Sequence, residues 1–107
     1  MVTPDQVKRK NMPKIKIEKP TAEKKKELKI PEQCKSSGLW SVWQCEPSKF
    51  DWSYDEAEIA YLYEGKVKVT TKEEKVEINA GDLVTFPKGL DCTWEILKKV
   101  RKVYQFV

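Results

Sequence analysis

From residue 39 onward the chain is a close succession of short segments rich in Val, Ile, Tyr, Phe and Thr, and this pattern constrains the fold most strongly. These residue types favour β-strands. The segments span 39–46, 59–63, 67–71, 76–78, 83–86, 93–97 and 103–106. Residues that favour turns separate several of them, at 64–65, 71–74, 79–82 and 87–89. This spacing predicts an all-β fold of seven or eight strands, either an antiparallel barrel or a sandwich.

The first third of the chain has a different character. Residues 1–13 contain Pro4 and Pro13 and few apolar side chains, so we expect a flexible leader there. Residues 14–18 alternate polar and apolar side chains as in a half-buried strand, and Thr21 is placed to cap a short helix in the sequence TAEKKKEL. With 107 residues the chain has room for one domain, which we place at 14–107.

Positive charge is concentrated in the N-terminal segment. The whole chain carries a net charge of +4, but residues 1–33 hold ten basic and five acidic side chains, whereas 34–107 hold eleven and twelve. A nucleic-acid-binding segment would be expected to cluster Arg and to interleave aromatic residues, and residues 1–33 do neither. We therefore expect a solvated surface there and no nucleic-acid partner.

Histidine is absent from the chain, which excludes Ser-His-Asp triads, Cys-His dyads and sites with His-ligated zinc or iron. The three cysteines, Cys34, Cys45 and Cys92, lack CxxC spacing, so neither a disulfide framework nor a zinc site is indicated. There is no apolar run long enough to span a membrane, and no secretory signal is readable. We expect no membrane partner and a cytoplasmic location, with a plastid location left open.

Two short motifs point to a fold family. Glu58 is followed after six residues by Gly65, and residues 81–89 read Gly-x5-Pro-x-Gly. These resemble, in the right order, the end of the first cupin motif and the start of the second. The chain thus resembles the small single-domain cupins of the ureidoglycine aminohydrolase-type (DUF861) group, within the RmlC-like cupin superfamily. The resemblance implies a cupin jelly-roll β-barrel, here with a short N-terminal helix.

The same resemblance locates a site. Metal-binding cupins use three His and one Glu, and the corresponding positions in this chain are Trp52, Tyr54, Glu58 and Cys92. A longer motif spacing would select Asp51 and Ser53 in place of the first two. Because imidazole is missing, the resemblance implies a pocket without a tightly bound metal, and the alternative is a divalent metal held by Glu58, Cys92 and Tyr54.

Roles follow from the chemistry of these side chains. Glu58 is the candidate general acid or base, because a carboxylate at an inward strand position is costly to bury unless it is paired or takes part in the function. Cys92 is a candidate nucleophile or second acid, with an inert packed thiol as an equal alternative. Tyr54 completes the candidate catalytic set and is expected to hydrogen-bond Glu58 or the ligand. The candidate ligand-binding residues are three aromatic side chains expected to form the walls of the pocket and one lysine expected in a loop at its rim: Trp52, Trp94, Tyr61 and Lys88.

These residues predict a His-free pocket that binds a small polar metabolite, carbohydrate-like or nitrogen-containing, with its conversion by the protein left open. The alternative function is a non-catalytic small-molecule-binding or dimerising interaction module. Small cupins commonly pair through an exposed sheet edge, so the resemblance also implies a homodimer, with the strand around 15–17 as the candidate edge.

Overall fold

The computed structural model describes residues 14–107, and the predicted leader at 1–13 lies outside the described residues. The expected all-β fold with one short helix is confirmed. Its elements, in chain order, are β1 (Lys16–Glu18), α1 (Ala22–Glu27), β2 (Ser41–Cys45), β3 (Ser48–Ser53), β4 (Glu58–Thr70), β5 (Lys75–Asn79), β6 (Leu83–Phe86) and β7 (Asp91–Phe106). Within this part of the chain, no helix has the length and apolar character needed to cross a membrane.

Helix α1 is a surface element. Its N-cap is Thr21, whose side chain accepts a hydrogen bond from Lys24 N at 3.1 Å, as the sequence predicts. The helix has no buried residue, and its basic side chains are exposed or half-buried. Lys25 is one of these, and its Nζ lies 5.2 Å from the ring centre of Tyr61.

Two long strands, β4 and β7, organise the sheet. The first half of β4 pairs with β6 and with the second half of β7, whereas its second half pairs with β5 and with the first half of β7. The remaining strands add to this antiparallel frame: β2 and β3 flank opposite halves of β7, and β1 lies outside β6. The long strands therefore run through both halves of the jelly roll, which face each other across the core.

The continuity of β4 corrects a sequence expectation. A tight turn was expected at 64–65, but the strand passes through it with shifts of register between Leu62 and Val67. Gly65 has φ +114°, and a Cβ there would lie 2.6 Å from the carbonyl oxygen of Lys99. The glycine is needed because two backbones approach closely, and its spacing in the motif does not mark a hairpin.

The irregularity at Gly65 also reverses which side chains face the core. Before it, Ala60 and Leu62 point inward; after it, Val67 and Val69 do. Between Leu62 and Val67 strand β4 advances five residues while β7 advances six, and because side chains alternate along a strand, this odd difference moves the later side chains of β4 to the opposite face. The segments 93–97 and 103–106, expected as separate strands, are likewise parts of the single strand β7.

Two apolar clusters result. The main core fills the space between the halves of the jelly roll and includes Phe86, Trp94 and Val100. A second cluster lies on the outer face of the sheet, around Trp40 and Tyr61. There the indole Nε1 of Trp40 donates to Leu28 O at 2.9 Å, which fastens the connection after α1 to the sheet.

Candidate functional site

A cavity of about 280 Å³ opens from the main core. It is built by inward positions of β2, β3, β4 and β7 together with the loop that follows β3. Aromatic side chains dominate its wall, and the acidic groups and one lysine supply the charge. The lining consists of Trp43, Phe50, Trp52, Ser53, Tyr54, Asp55, Glu56, Glu58, Trp94, Lys102, Tyr104 and Phe106.

A buried ion pair is the polar centre of this cavity. Lys102 Nζ on β7 donates to Glu58 Oε2 on β4 at 3.0 Å. The two side chains are only 6% and 7% exposed, so water screens their interaction little. The partner of Glu58 is therefore an ammonium group, whereas the sequence suggested Tyr54 or a ligand. Glu58 is the first residue of β4 and is paired with Phe106 on β7, whereas Lys102 is paired with Leu62; the long lysine side chain therefore reaches along the inner face of the sheet to Glu58.

Aromatic rings surround the ammonium of Lys102. Its Nζ lies 4.9 Å from the ring centre of Trp94, 5.0 Å from that of Trp43 and 5.4 Å from that of Tyr104. The ring of Phe86 is 6.0 Å away. The faces of such rings attract a cation, which offsets part of the cost of removing the charge from water.

The protonation of Lys102 reflects two opposed effects. Burial lowers the pKa of the Lys102 ammonium, and the charge of Glu58 and their hydrogen bond act in the other direction. The apolar wall thus makes this amine easier to deprotonate than a surface lysine. The Glu58 carboxylate accepts a hydrogen bond from this group at 3.0 Å.

Tyr54 is held firmly at the side of the cavity. Its backbone N donates to Leu90 O at 2.9 Å, and Gly89 N donates to Tyr54 O at 2.7 Å. The ring stacks on Phe86 with centres 4.6 Å apart. Burial, followed by the nearby charge of Glu58, raises the pKa of the Tyr54 phenol. Tyr54 therefore stays protonated at neutral pH, where its hydroxyl can donate a hydrogen bond but cannot act as a base.

Cys92 lies beside the cavity and does not line it. Its Sγ faces the backbone carbonyl of Trp52, the residue opposite it on β3, at 3.5 Å. Burial raises the pKa of the Cys92 thiol to about 11, so the thiolate is scarce at neutral pH. The surroundings favour the packing role that the sequence left open over a nucleophilic one.

The four candidate ligand-binding residues divide into two pairs. Trp52 and Trp94 both line the cavity; Trp52 is 52% exposed at its mouth, and Trp94 is buried. Tyr61 lies in the outer cluster, because odd-numbered residues in this part of β4 face away from Glu58. Lys88 is exposed in the turn after β6 and is not part of the lining. The expectation that Tyr61 and Lys88 share a pocket with Glu58 is therefore wrong.

Sequence reasoning missed Lys102, Trp43 and Tyr104. A signal for Lys102 existed: it shares its parity on β7 with Trp94, Ile96 and Val100, which all face the core. Reading 93–97 and 103–106 as separate strands broke that parity and hid the inward lysine. Two carboxylates of the lining, Asp55 and Glu56, were also missed, and both are exposed beside the cavity.

The residues at the metal positions of cupins do not fit a metal ion. The Glu58 carboxylate is occupied by Lys102, the Cys92 thiol faces a carbonyl oxygen and the Tyr54 phenol is stabilised in its protonated form. A divalent ion would need these groups deprotonated and free to converge. Across residues 14–107, no three Cys, Asp or Glu side chains are grouped so that they could hold a metal ion.

Comparison with known proteins places the chain among cupins. The family model of the EutQ-like cupin domain matches residues 33–104. A DUF861 family protein from Thermotoga maritima is 50% identical, with a TM-score of 0.79; the match covers 88% of this chain and all of that one. A search of curated proteins finds no match.

More distant structures agree. EutQ from Clostridium difficile is 25% identical and a putative ethanolamine utilisation protein Q from Salmonella typhimurium is 28% identical, each with a TM-score of 0.56. These matches cover 61% of this chain but only 52% and 53% of the two longer proteins. Since the family model spans most of the described residues and the Thermotoga protein is similar over its entire length, this chain belongs to the EutQ-like cupin family.

Proposed function

We propose that the protein binds a small polar metabolite, carbohydrate-like or nitrogen-containing, in the cavity above the Glu58–Lys102 pair, without a tightly bound metal. The observation that carries this proposal is the juxtaposition of one buried ion pair with a cavity of about 280 Å³. A volume close to the lower end of the usual range for ligand sites, roughly 300–1,000 Å³, suits a molecule of one ring or less.

The lining supports both parts of the ligand description. Flat aromatic walls, among them Trp52, Trp94 and Tyr104, suit the face of a sugar or a nitrogen heterocycle. Glu58 and Tyr54 offer an acceptor and a donor for hydroxyl or N–H groups, which fix the orientation of a polar ring. Membership of a cupin family related to EutQ and DUF861 proteins is consistent with small-molecule binding.

A ligand screen with two matched variants tests this function. Monosaccharides, polyols and small nitrogen heterocycles are screened by thermal shift, and binding is then measured by calorimetry. Trp52→Ala removes an exposed aromatic side chain at the mouth of the cavity, and Leu39→Ala removes an exposed apolar side chain that is not part of its lining. We expect Trp52→Ala to weaken binding and Leu39→Ala to leave it unchanged. A ligand affected equally by both variants, or by neither, would bind elsewhere and contradict the assignment.

A binding module that also dimerises is the second candidate. Strand β1 is at one end of the sheet order and pairs with β6, so its other edge can accept a second copy of the chain. Light scattering after size-exclusion chromatography measures the mass directly. A monomer at high concentration would remove dimerisation from the proposal and leave ligand binding intact.

A further inference from the structure

Lys102 has a combination of surroundings that a structural ion pair does not require. Its amine lies at the wall of a cavity large enough for a ligand, three aromatic rings have their centres within 5.4 Å of it, and a carboxylate oxygen is 3.0 Å away. An amine becomes a nucleophile when an apolar site favours its neutral form, and a carboxyl group beside it can move the protons that addition to a carbonyl requires.

We propose that Lys102 forms a reversible imine with a small neutral aldehyde or ketone that enters the cavity, and that Glu58 carries the protons of this reaction. This inference rests on the proposed function, because it uses the same cavity, and it specifies the reactive group of the ligand. It assigns Lys102 as the nucleophile and Glu58 as the acid and base.

The step balances without any further reactant. Lys102 passes one proton to Glu58, and the free electron pair on Nζ attacks the carbonyl carbon. A C–N bond forms, the C=O π pair moves to oxygen, and Glu58 returns its proton to that oxygen. Glu58 then takes a second proton from nitrogen and gives it to the hydroxyl group, which leaves as water while the C=N bond forms. The product is a protonated imine beside a carboxylate, so the ion pair of the resting site is restored.

The charge around the cavity selects among carbonyl compounds. Besides Glu58, the lining contains the carboxylates Asp55 and Glu56, whereas Lys102 is its one basic residue. The site therefore carries excess negative charge, and an anionic carbonyl compound such as a 2-oxo acid would be repelled. Small neutral hydroxyaldehydes and hydroxyketones combine an electrophilic carbon with the polar groups expected of the ligand.

Reductive trapping tests the imine. The full chain is incubated at pH 7 with glyceraldehyde and cyanoborohydride, which reduces an imine to a stable secondary amine, and each lysine is then quantified by mass spectrometry. Exposed Lys99 is the internal reference, with a side chain that is 46% exposed. Burial lowers the pKa of the Lys102 ammonium, which enlarges its neutral fraction at pH 7, and the cavity brings the aldehyde to it, so we expect Lys102 to be labelled several-fold faster than Lys99.

Two variants and a second probe sharpen the result. Lys102→Arg retains the positive charge beside Glu58, and in this variant the fast labelling at position 102 should disappear. In Lys99→Arg, Lys102 should still be labelled fast. Glyoxylate, an anionic aldehyde, should label Lys102 more slowly relative to Lys99 than glyceraldehyde does. Because labelling is mapped in the unmodified chain, the test does not depend on whether Lys102→Arg folds.

The outcomes separate this inference from the function on which it rests. Labelling of Lys102 no faster than that of Lys99 overturns the imine. If the imine fails but ligands without a carbonyl group still bind more weakly to Trp52→Ala, the proposed binding function stands. If no ligand that is sensitive to Trp52→Ala is found, the imine and the binding function both fail. Preferential labelling by glyoxylate would overturn the proposed class of neutral carbonyl compounds.

Discussion

Removing one member of the Glu58–Lys102 pair should cost much more stability than removing both. Lys102→Met leaves the Glu58 carboxylate buried without its cation, and breaking a buried pair in this way typically costs about 3–5 kcal/mol. Because the two side chains are only 6% and 7% exposed, little water can replace the missing partner. In a domain of this size such a loss lowers the Tm by roughly 12 °C or more.

The double variant Glu58→Gln/Lys102→Met removes both charges and should recover part of that loss. Groups in direct contact commonly show coupling of about 0.5–3 kcal/mol, and burial places this pair toward the upper end. The free energy of unfolding is measured by urea titration for the two single variants and the double variant, with tryptophan fluorescence as the signal.

A neighbouring surface pair supplies the control. Arg101 NH1 lies 2.9 Å from Glu64 Oε2, but these side chains are 40% and 52% exposed, so the cycle Glu64→Gln/Arg101→Met should show coupling close to zero. If the buried cycle shows no more coupling than this exposed one, Lys102 and Glu58 are not held as a desolvated pair. The electrostatic account of the cavity would then be wrong.

Three further predictions use other features of the fold. Gly65→Ala should destabilise the protein by about 3 kcal/mol or more, because its Cβ would meet Lys99 O at 2.6 Å. Gly89→Ala should cost only about 1–2 kcal/mol, because Gly89 also has a positive φ but open space around it. Urea unfolding measures both losses. Cys92 should react with iodoacetamide about 100-fold more slowly than a thiol of pKa 9.0, since its pKa is about 11, and the rate should rise with pH up to that value; mass spectrometry follows the alkylation. Dialysis against EDTA should leave the Tm unchanged, and a fall of several degrees would indicate a bound metal and contradict the metal-free proposal.

The sequence predicted the fold class well because its signals are local. Strand-forming residues and turn residues alternate along the chain, and the spacing of Glu58, Gly65 and the 81–89 motif carries the family resemblance. These features also placed Glu58, Tyr54, Trp52 and Trp94 around one cavity. Each of them lies on an element whose position the motif determines.

What the sequence could not supply depends on pairing between distant strands. Gly65 has the spacing of a turn residue, yet its role comes from the approach of Lys99 on β7, which no local pattern reveals. The irregularity there changes which residues of β4 face inward, and the pairing of β4 with the distant strand β7 brings the side chain of Lys102 within hydrogen-bonding distance of Glu58. Tyr61 was misplaced because an aromatic residue near the motif suits either face of the sheet.

Binding in the cavity can be observed most directly through the indole N–H signals of the tryptophans. Trp43, Trp52 and Trp94 line the cavity, and Trp94 Nε1 is buried without a hydrogen-bond acceptor in the described part of the chain. Trp40 lies in the outer cluster and serves as the reference. In a two-dimensional NMR titration, a polar metabolite identified by the screen should shift the three cavity indoles and leave that of Trp40 in place. A bound ligand that shifts the signal of Trp40 alone, or of none of the four tryptophans, would show that the ligand does not bind in the cavity.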